Sequence, residues 1–198
     1  MRVRDEDKVN LVKQKALESF IKDGFEGFSM NKLAKSCSIS VGTLYIYFKD
    51  KDDLIISLAK EYGDGMANAM IKDFDPKASF EEGMRVQWQN RYNYVVVNPH
   101  AYLFFEQIRT SSYQERFLEN FMKKFKVSIS EFMHNVVSRG EIKEMPLEVF
   151  WSVAYAPLYS LIRFHNEGQS LAGKPFKMTD EVLWQTFDLV IKALKNKD

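Results

Sequence analysis

The sequence predicts an all-α fold of about nine helices, with an N-terminal three-helix bundle followed by a larger helical body. Three observations lead there. Apolar residues recur at helical spacing in nearly every segment, and no period-two alternation lasts more than a few residues. Breaks built from Gly, Asp, Asn and Pro separate the periodic stretches.

The elements follow in order. Val9, Val12, Ala16, Leu17, Phe20 and Ile21 line one face of a first helix over 7–22, and Gly24 supplies its stop. Ser29 is placed to cap a second helix that buries Met30, Leu33 and Ala34. The run CSIS (37–40) breaks it, and Ser40 caps a third helix from Val41 to Tyr47 or Phe48. Asp50 caps a fourth helix from Lys51 to about Ile71, with Asp52 and Asp53 in the first turn, where exposed N–H groups favour carboxylates. Within it, Gly63 and Gly65 mark either a bend or a close approach of another element. The break at Asp73–Pro76 ends this helix. A fifth runs over about 77–97 and a short sixth over 100–109. A long seventh spans 113–138 and is closed by Gly140. An eighth covers 147–166, residues 168–177 form a loop, and Thr179 or Asp180 opens a ninth helix reaching Leu194. The expected division is residues 1–50 as one domain and 51–198 as the other, with the helix at 51–71 connecting them.

Composition narrows the function classes. The 198 residues carry 28 Lys+Arg and 27 Asp+Glu, a formal charge of +1, which neither demands nor forbids a polyanionic partner; local charge decides that. The single cysteine, Cys37, rules out an internal disulfide and points to a reducing, cytoplasmic setting. The N-terminus lacks the apolar stretch of a signal peptide, and no apolar run is long enough to span a membrane. His100, His134 and His165 lie far apart without metal-ligand spacing. There is no phosphate-binding glycine loop and no nucleophile–base constellation. The reading is therefore of a protein that is not an enzyme, with no cofactor and no metal. The alternative is a helical enzyme or a protein-interaction module without DNA binding.

The segment SISVGTLYIYFKDKDDL (38–54) carries the most chemistry. Two short helices with a tight joint fit a helix-turn-helix, whose second helix enters a major groove. Leu44 and Phe48, four apart, should point inward, leaving Val41, Thr43, Tyr47 and Ile46 to face outward with Tyr45 at the edge. Val41 and the Thr43 methyl suit contact with a thymine methyl, and Gly42 allows close backbone approach. The Tyr47 hydroxyl and the Lys49 and Lys51 ammonium groups suit phosphate.

Taken together, FSMNKLAKSCSISVGTLYIYFKDKDDL (28–54) resembles the N-terminal module of the TetR family of transcriptional repressors. Ser29 opens the second helix. Leu33–Ala34 and the turn Cys37–Ser38–Ile39–Ser40 follow, and Gly42, Tyr45, Tyr47, Phe48, Lys51 and Leu54 complete the pattern. Two positions depart from it: Ser38 stands where glycine is common, and Tyr47 where histidine is commoner. The resemblance implies backbone contacts for Ser40, Thr43, Tyr47 and Lys51 and base-edge positions for Val41, Gly42, Thr43 and Tyr45; with Ser29 at the head of the second helix and Lys49 as a phosphate donor, these make the expected DNA-binding set. It implies a homodimer on palindromic double-stranded operator DNA, joined through the last two long helices; Val153, Leu158, Ile162, Leu183, Phe187, Val190 and Ile191 are the expected interface residues. It also implies a small apolar or aromatic effector held in the body, with Trp88, Tyr92, Phe104, Phe105, Phe117, Phe121 and Tyr155 as expected lining; the residues alone also fit a solid aromatic core here, and an intrachain core for the last two helices.

Overall fold

A computed structural model of the chain describes residues 6–196, apart from the side chains at positions 120, 122, 124 and 125. Ten helices are named among the described residues: α1 (Glu6–Gly27), α2 (Met30–Ser36), α3 (Val41–Tyr47), α4 (Lys51–Met70), α5 (Phe80–Val97), α6 (Pro99–Arg109), α7 (Gln114–Ser138), α8 (Leu147–Ala154), α9 (Ala156–Glu167) and α10 (Asp180–Leu194). The all-α class holds. The expected stop at Gly24 is a kink, with φ 69° and ψ 173°, after which one further turn completes α1. The long helix expected over 147–166 is two helices, broken at Tyr155 (φ −124°, ψ −29°). Pro157 is the reason: it has no N–H to give the carbonyl of Val153, and its ring crowds the preceding turn.

The chain packs as two compact units. The first holds residues up to Gly65 together with Asn98–Lys123, and the second holds Met66–Val97 together with residues from Lys124 on. These units cut the chain differently from the expected division after residue 50, because α6 packs on α1. The first core joins Val12, Leu17, Phe20, Phe25 and Phe28 to Leu33, Leu44, Phe48, Leu54, Leu58, Phe104 and Ile108. The Phe20 and Phe28 rings lie 4.3 Å apart, and Phe104 stands edge-on to Phe25 at 5.9 Å. Gln107 Nε2 donates to the Phe20 carbonyl at 2.7 Å, meeting a backbone acceptor near the end of α1.

The second unit is built around Trp88, whose indole N–H donates to the Ala154 carbonyl at 2.9 Å and whose ring meets Phe187 edge-on at 5.4 Å. Phe80 and Phe150 extend this core, and Phe132 of α7 packs directly on Gly83. Buried Arg91 lays its guanidinium over the Tyr155 ring at 4.1 Å, and its Nη1 donates to the Gln87 carbonyl at 3.0 Å.

Candidate nucleic-acid interface and apolar cleft

The turn between α2 and α3 puts Ser38 at φ 54°, in the left-handed region that glycine occupies without cost. Ile39 N donates to the Ala34 carbonyl at 3.0 Å and closes the turn. Ser40 then caps α3: its Oγ accepts from Thr43 N at 3.0 Å and shares a hydrogen bond with Thr43 Oγ1 at 2.8 Å. Both hydroxyls expected on DNA thus also hold the start of the helix. Ser29 sits at the N-cap position of α2 with extended backbone but makes no side-chain cap bond, contrary to the capping expected of it.

Leu44 and Phe48 are buried, as their spacing predicts, and they fix the roll of α3 about its axis. The opposite face carries Gly42, Tyr45 (51% exposed) and Ile46 (68% exposed), with Val41, Thr43 and Tyr47 half-buried at its shoulders. A Cβ at Gly42 would meet only Ser40 Oγ, at 3.8 Å, so no contact within the chain requires glycine there. Ile46, expected to face outward but not among the expected DNA-binding residues, is the most exposed large apolar side chain on α3, in i+4 relation to Gly42.

The start of α4 is more committed than expected. Asp50 Oδ1 accepts from Asp53 N at 2.8 Å, and Asp53 Oδ2 accepts from Lys49 N at 3.0 Å, a reciprocal cap. One helix N–H that could have met a phosphate, that of Asp53, therefore faces a carboxylate. Asp52 turns elsewhere, accepting from the Tyr113 hydroxyl at 2.5 Å. Half-buried Lys51 donates Nζ to the Phe25 carbonyl at 3.1 Å, across the kinked end of α1, while Lys49 is exposed.

The expected effector residues do not form one set. Phe117 and Phe121 line a cleft in the first unit with Ile56, Ala59 and Gly63, while Lys60, Asp64, Tyr113 and Arg116 complete its lining. The Phe105 ring lies behind Phe117, tilted to it, at 5.1 Å. The cleft encloses about 20 Å³, room for a water molecule and far below the size of a ligand pocket. Phe104 is buried in the core of the same unit, whereas Trp88 and Tyr155 are buried in the second unit and Tyr92 is half-buried there. Helical spacing finds large aromatic side chains but does not separate a pocket wall from a solid core.

The expected interface residues need a similar correction. Leu158, Leu183 and Phe187 are 0% exposed within the chain itself, and Ile162, Val190 and Ile191 are also buried, so they have little or no surface to lose to a partner. Only Val153 is half-buried. The outer faces of the same helices present Leu147, Val149, Trp151 and Leu189. The apolar stripe that stood out in the sequence is the inward one.

Among the described residues, no group of His, Cys, Asp and Glu is arranged to hold a metal ion, and no helix is long and apolar enough to cross a membrane.

Comparison with known proteins agrees with this arrangement. Residues 14–58 match a family model described as bacterial regulatory proteins, tetR family, and residues 63–189 match one described as tetracyclin repressor-like, C-terminal domain. The chain is 36% identical over 78 residues to an uncharacterized HTH-type transcriptional regulator of Haemophilus influenzae, a match spanning 39% of this chain and 42% of that protein. It is 27% identical over 131 residues to the fatty acid metabolism regulator protein of Bacillus subtilis, covering 65% of this chain and 68% of that one. Its fold is similar to that of a TetR family transcription regulator from Marinobacter aquaeolei, with a TM-score of 0.84, 23% identity and full coverage of both chains. It is also similar to the transcriptional regulator FadR from Bacillus subtilis in complex with stearoyl-CoA, with a TM-score of 0.71, 18% identity and coverage of 92% and 97%.

Proposed function

The chain belongs to the TetR family of bacterial regulatory proteins, and from that premise we propose that it is a ligand-responsive, sequence-specific regulator that represses by binding palindromic operator DNA as a homodimer. The observation that carries this reading is the α3 surface. A seven-residue helix is anchored by buried Leu44 and Phe48 and turns Gly42, Tyr45 and Ile46 to solvent, inside a head that matches the family model. In a major groove, Gly42 admits close backbone approach, Val41 and Ile46 offer apolar contact to thymine methyls, and Tyr45 reaches a base edge or the sugar–phosphate wall. Tyr47, Lys49 and the Ser40–Thr43 pair serve phosphates, which set register without reading sequence. Lys51 acts first as a brace for α1, with two further N–H donors left to its ammonium group.

One head reads few base pairs, so two heads related by a dyad are needed for affinity and for a palindrome. The outer face bearing Leu147, Val149, Trp151 and Leu189 is the surface we assign to the partner copy. The effector is an apolar molecule whose binding and DNA binding favour different states of the chain, linked by a coupling free energy. Because a similar protein is named for fatty acid metabolism and a similar structure holds stearoyl-CoA, that thioester, whose acyl chain supplies the apolar part, is the first compound to try.

Selection of bound sequences from random duplex DNA by the purified full chain tests the reading. A palindromic consensus, bound more tightly than its scrambled version and weakened steeply by salt, is expected. Equal affinity for consensus and scrambled duplex, or no salt-dependent binding at all, would remove it. The mass in solution at low micromolar concentration tests the dimer independently.

A further inference from the structure

We propose that Tyr113 is a positioning residue that ties the wall of the α4–α7 cleft to the pose of the reading helix. The proposal rests on the regulator reading above and adds to it a specific route from cleft to head.

Tyr113 belongs to both places. It lines the cleft with Phe117 and Phe121, and its carbonyl accepts from Phe117 N at 3.0 Å, so it opens the first turn of α7. Its hydroxyl donates to Asp52 at 2.5 Å in the first turn of α4, and its ring stands edge-on to Phe25 at 5.4 Å, at the end of α1. Four connections therefore converge within a few residues. The Asp50–Asp53 cap fixes the start of α4, Lys51 holds the Phe25 carbonyl, Phe25 packs on Tyr113, and Tyr113 holds Asp52. Helix α3 ends at Tyr47, just before this junction, and is connected to it by the buried Phe48.

The other end of the route is tight. The Phe117 ring leans on the backbone of α4 so closely that a Cβ at Gly63 would lie 2.9 Å from Phe117 Cε2. With about 20 Å³ enclosed, the cleft admits an apolar group only if the first turns of α7 move away from α4. That motion pulls on Tyr113, and its bond to Asp52 resists or yields. Burial, and then the hydrogen bond to Asp52, push the Tyr113 hydroxyl up to about 12, so it remains a donor throughout the neutral range.

The test replaces the unknown effector with a side chain. Gly63→Leu wedges the cleft from the α4 side. Amide hydrogen exchange over residues 41–54 is measured on the full chain for this variant, for Tyr113→Phe, and for the two together. The wedge alone should speed exchange there by about fivefold or more, the size of a modest coupling. Tyr113→Phe keeps the ring on Phe25 and removes only the hydroxyl. It should raise exchange by itself, and the wedge should add little on top. Asp52→Ala should reproduce Tyr113→Phe. Asp52→Asn, which keeps an acceptor but no charge, should track the unmodified chain, a distinction that a general loss of packing would not make. An unchanged wedge effect in the Tyr113→Phe background, or exchange indifferent to both Tyr113→Phe and Asp52→Ala, overturns the proposal. If Gly63→Leu does not fold, the comparison of Tyr113→Phe, Asp52→Ala and Asp52→Asn decides the matter by itself. The expected exchange pattern in a chain that binds no duplex would refute the regulator and leave the clamp standing. Duplex binding with exchange indifferent to Tyr113 would do the reverse.

Discussion

Helix α7 presses a phenylalanine onto a glycine twice, once in each unit, and the two contacts differ in what surrounds the ring. In the second unit, a Cβ on Gly83 would lie 2.3 Å from Phe132 Cε2 and 2.6 Å from its Cζ. Phe132 is buried, with Phe74 edge-on at 5.2 Å and Phe80 stacked at 6.4 Å. In the first unit, the corresponding distance from Gly63 to Phe117 is 2.9 Å, but Phe117 is half-buried and borders a cleft. The same pairing is locked where the ring is surrounded and yielding where one side is open. Close packing resists deformation only when every neighbour is itself held. The contrast also settles what Gly63 does: α4 is continuous through it, and the close approach of Phe117 accounts for the glycine.

Four measurements break or sharpen this comparison. Phe132→Ala should cost the most, about 3–5 kcal/mol, because it leaves a cavity in a filled core. Phe117→Ala should cost clearly less, since its ring is already partly in contact with water. Urea unfolding at one fixed protein concentration compares the two, and equal losses would mean that the cleft wall is as rigid as the core. Gly83→Ala comes next, at about 1–3 kcal/mol, because the added methyl overlaps a ring with nowhere to go. Gly63→Ala should be nearly neutral: the gain of up to about 1 kcal/mol in helix propensity offsets the displacement of Phe117. A large loss at Gly63 would remove the distinction.

Ser38→Gly should stabilise the head by about 1 kcal/mol, by relieving a left-handed serine, less what glycine loses in chain entropy. Its check is the thermal midpoint. A further effect is at alkaline pH. Tyr113 binds its proton more tightly in the folded chain than in the unfolded one, so its contribution is complete below pH 10 and is lost as pH rises from there through about 12. The difference in stability between the unmodified chain and Tyr113→Phe should shrink across that window. A constant difference would show that the hydroxyl is not held by Asp52.

Much of the head was legible because its signals are local. The Ser40 cap, the Asp50 cap, the inward pair Leu44 and Phe48, and the interruption at Gly24 each depend on residues within about one helical turn. The break at Tyr155 was equally local, since Pro157 carried it, but the apolar run on both sides masked it. The expected interface residues lie inside the chain's own core for a different reason. Helices α8 to α10 have apolar side chains on more than one face, and periodicity marks the stripe without saying which stripe the chain keeps for itself. The expected effector residues are scattered for the same reason, with Trp88 and Tyr155 drawn into a core and Phe117 at a cleft.

Residue order alone determined the class of fold, the caps at Ser40 and Asp50 and the inward pair Leu44 and Phe48, because each follows from backbone hydrogen bonding and a period of 3.6 residues. Only the folded chain decided that Asp52 would meet Tyr113, 61 positions away, and that Lys51 would hold the end of α1. It alone decided which phenylalanines are enclosed and which border a cleft. Those outcomes depend on how separate helices settle against one another, and that is fixed by packing over the whole unit rather than by any short stretch of it.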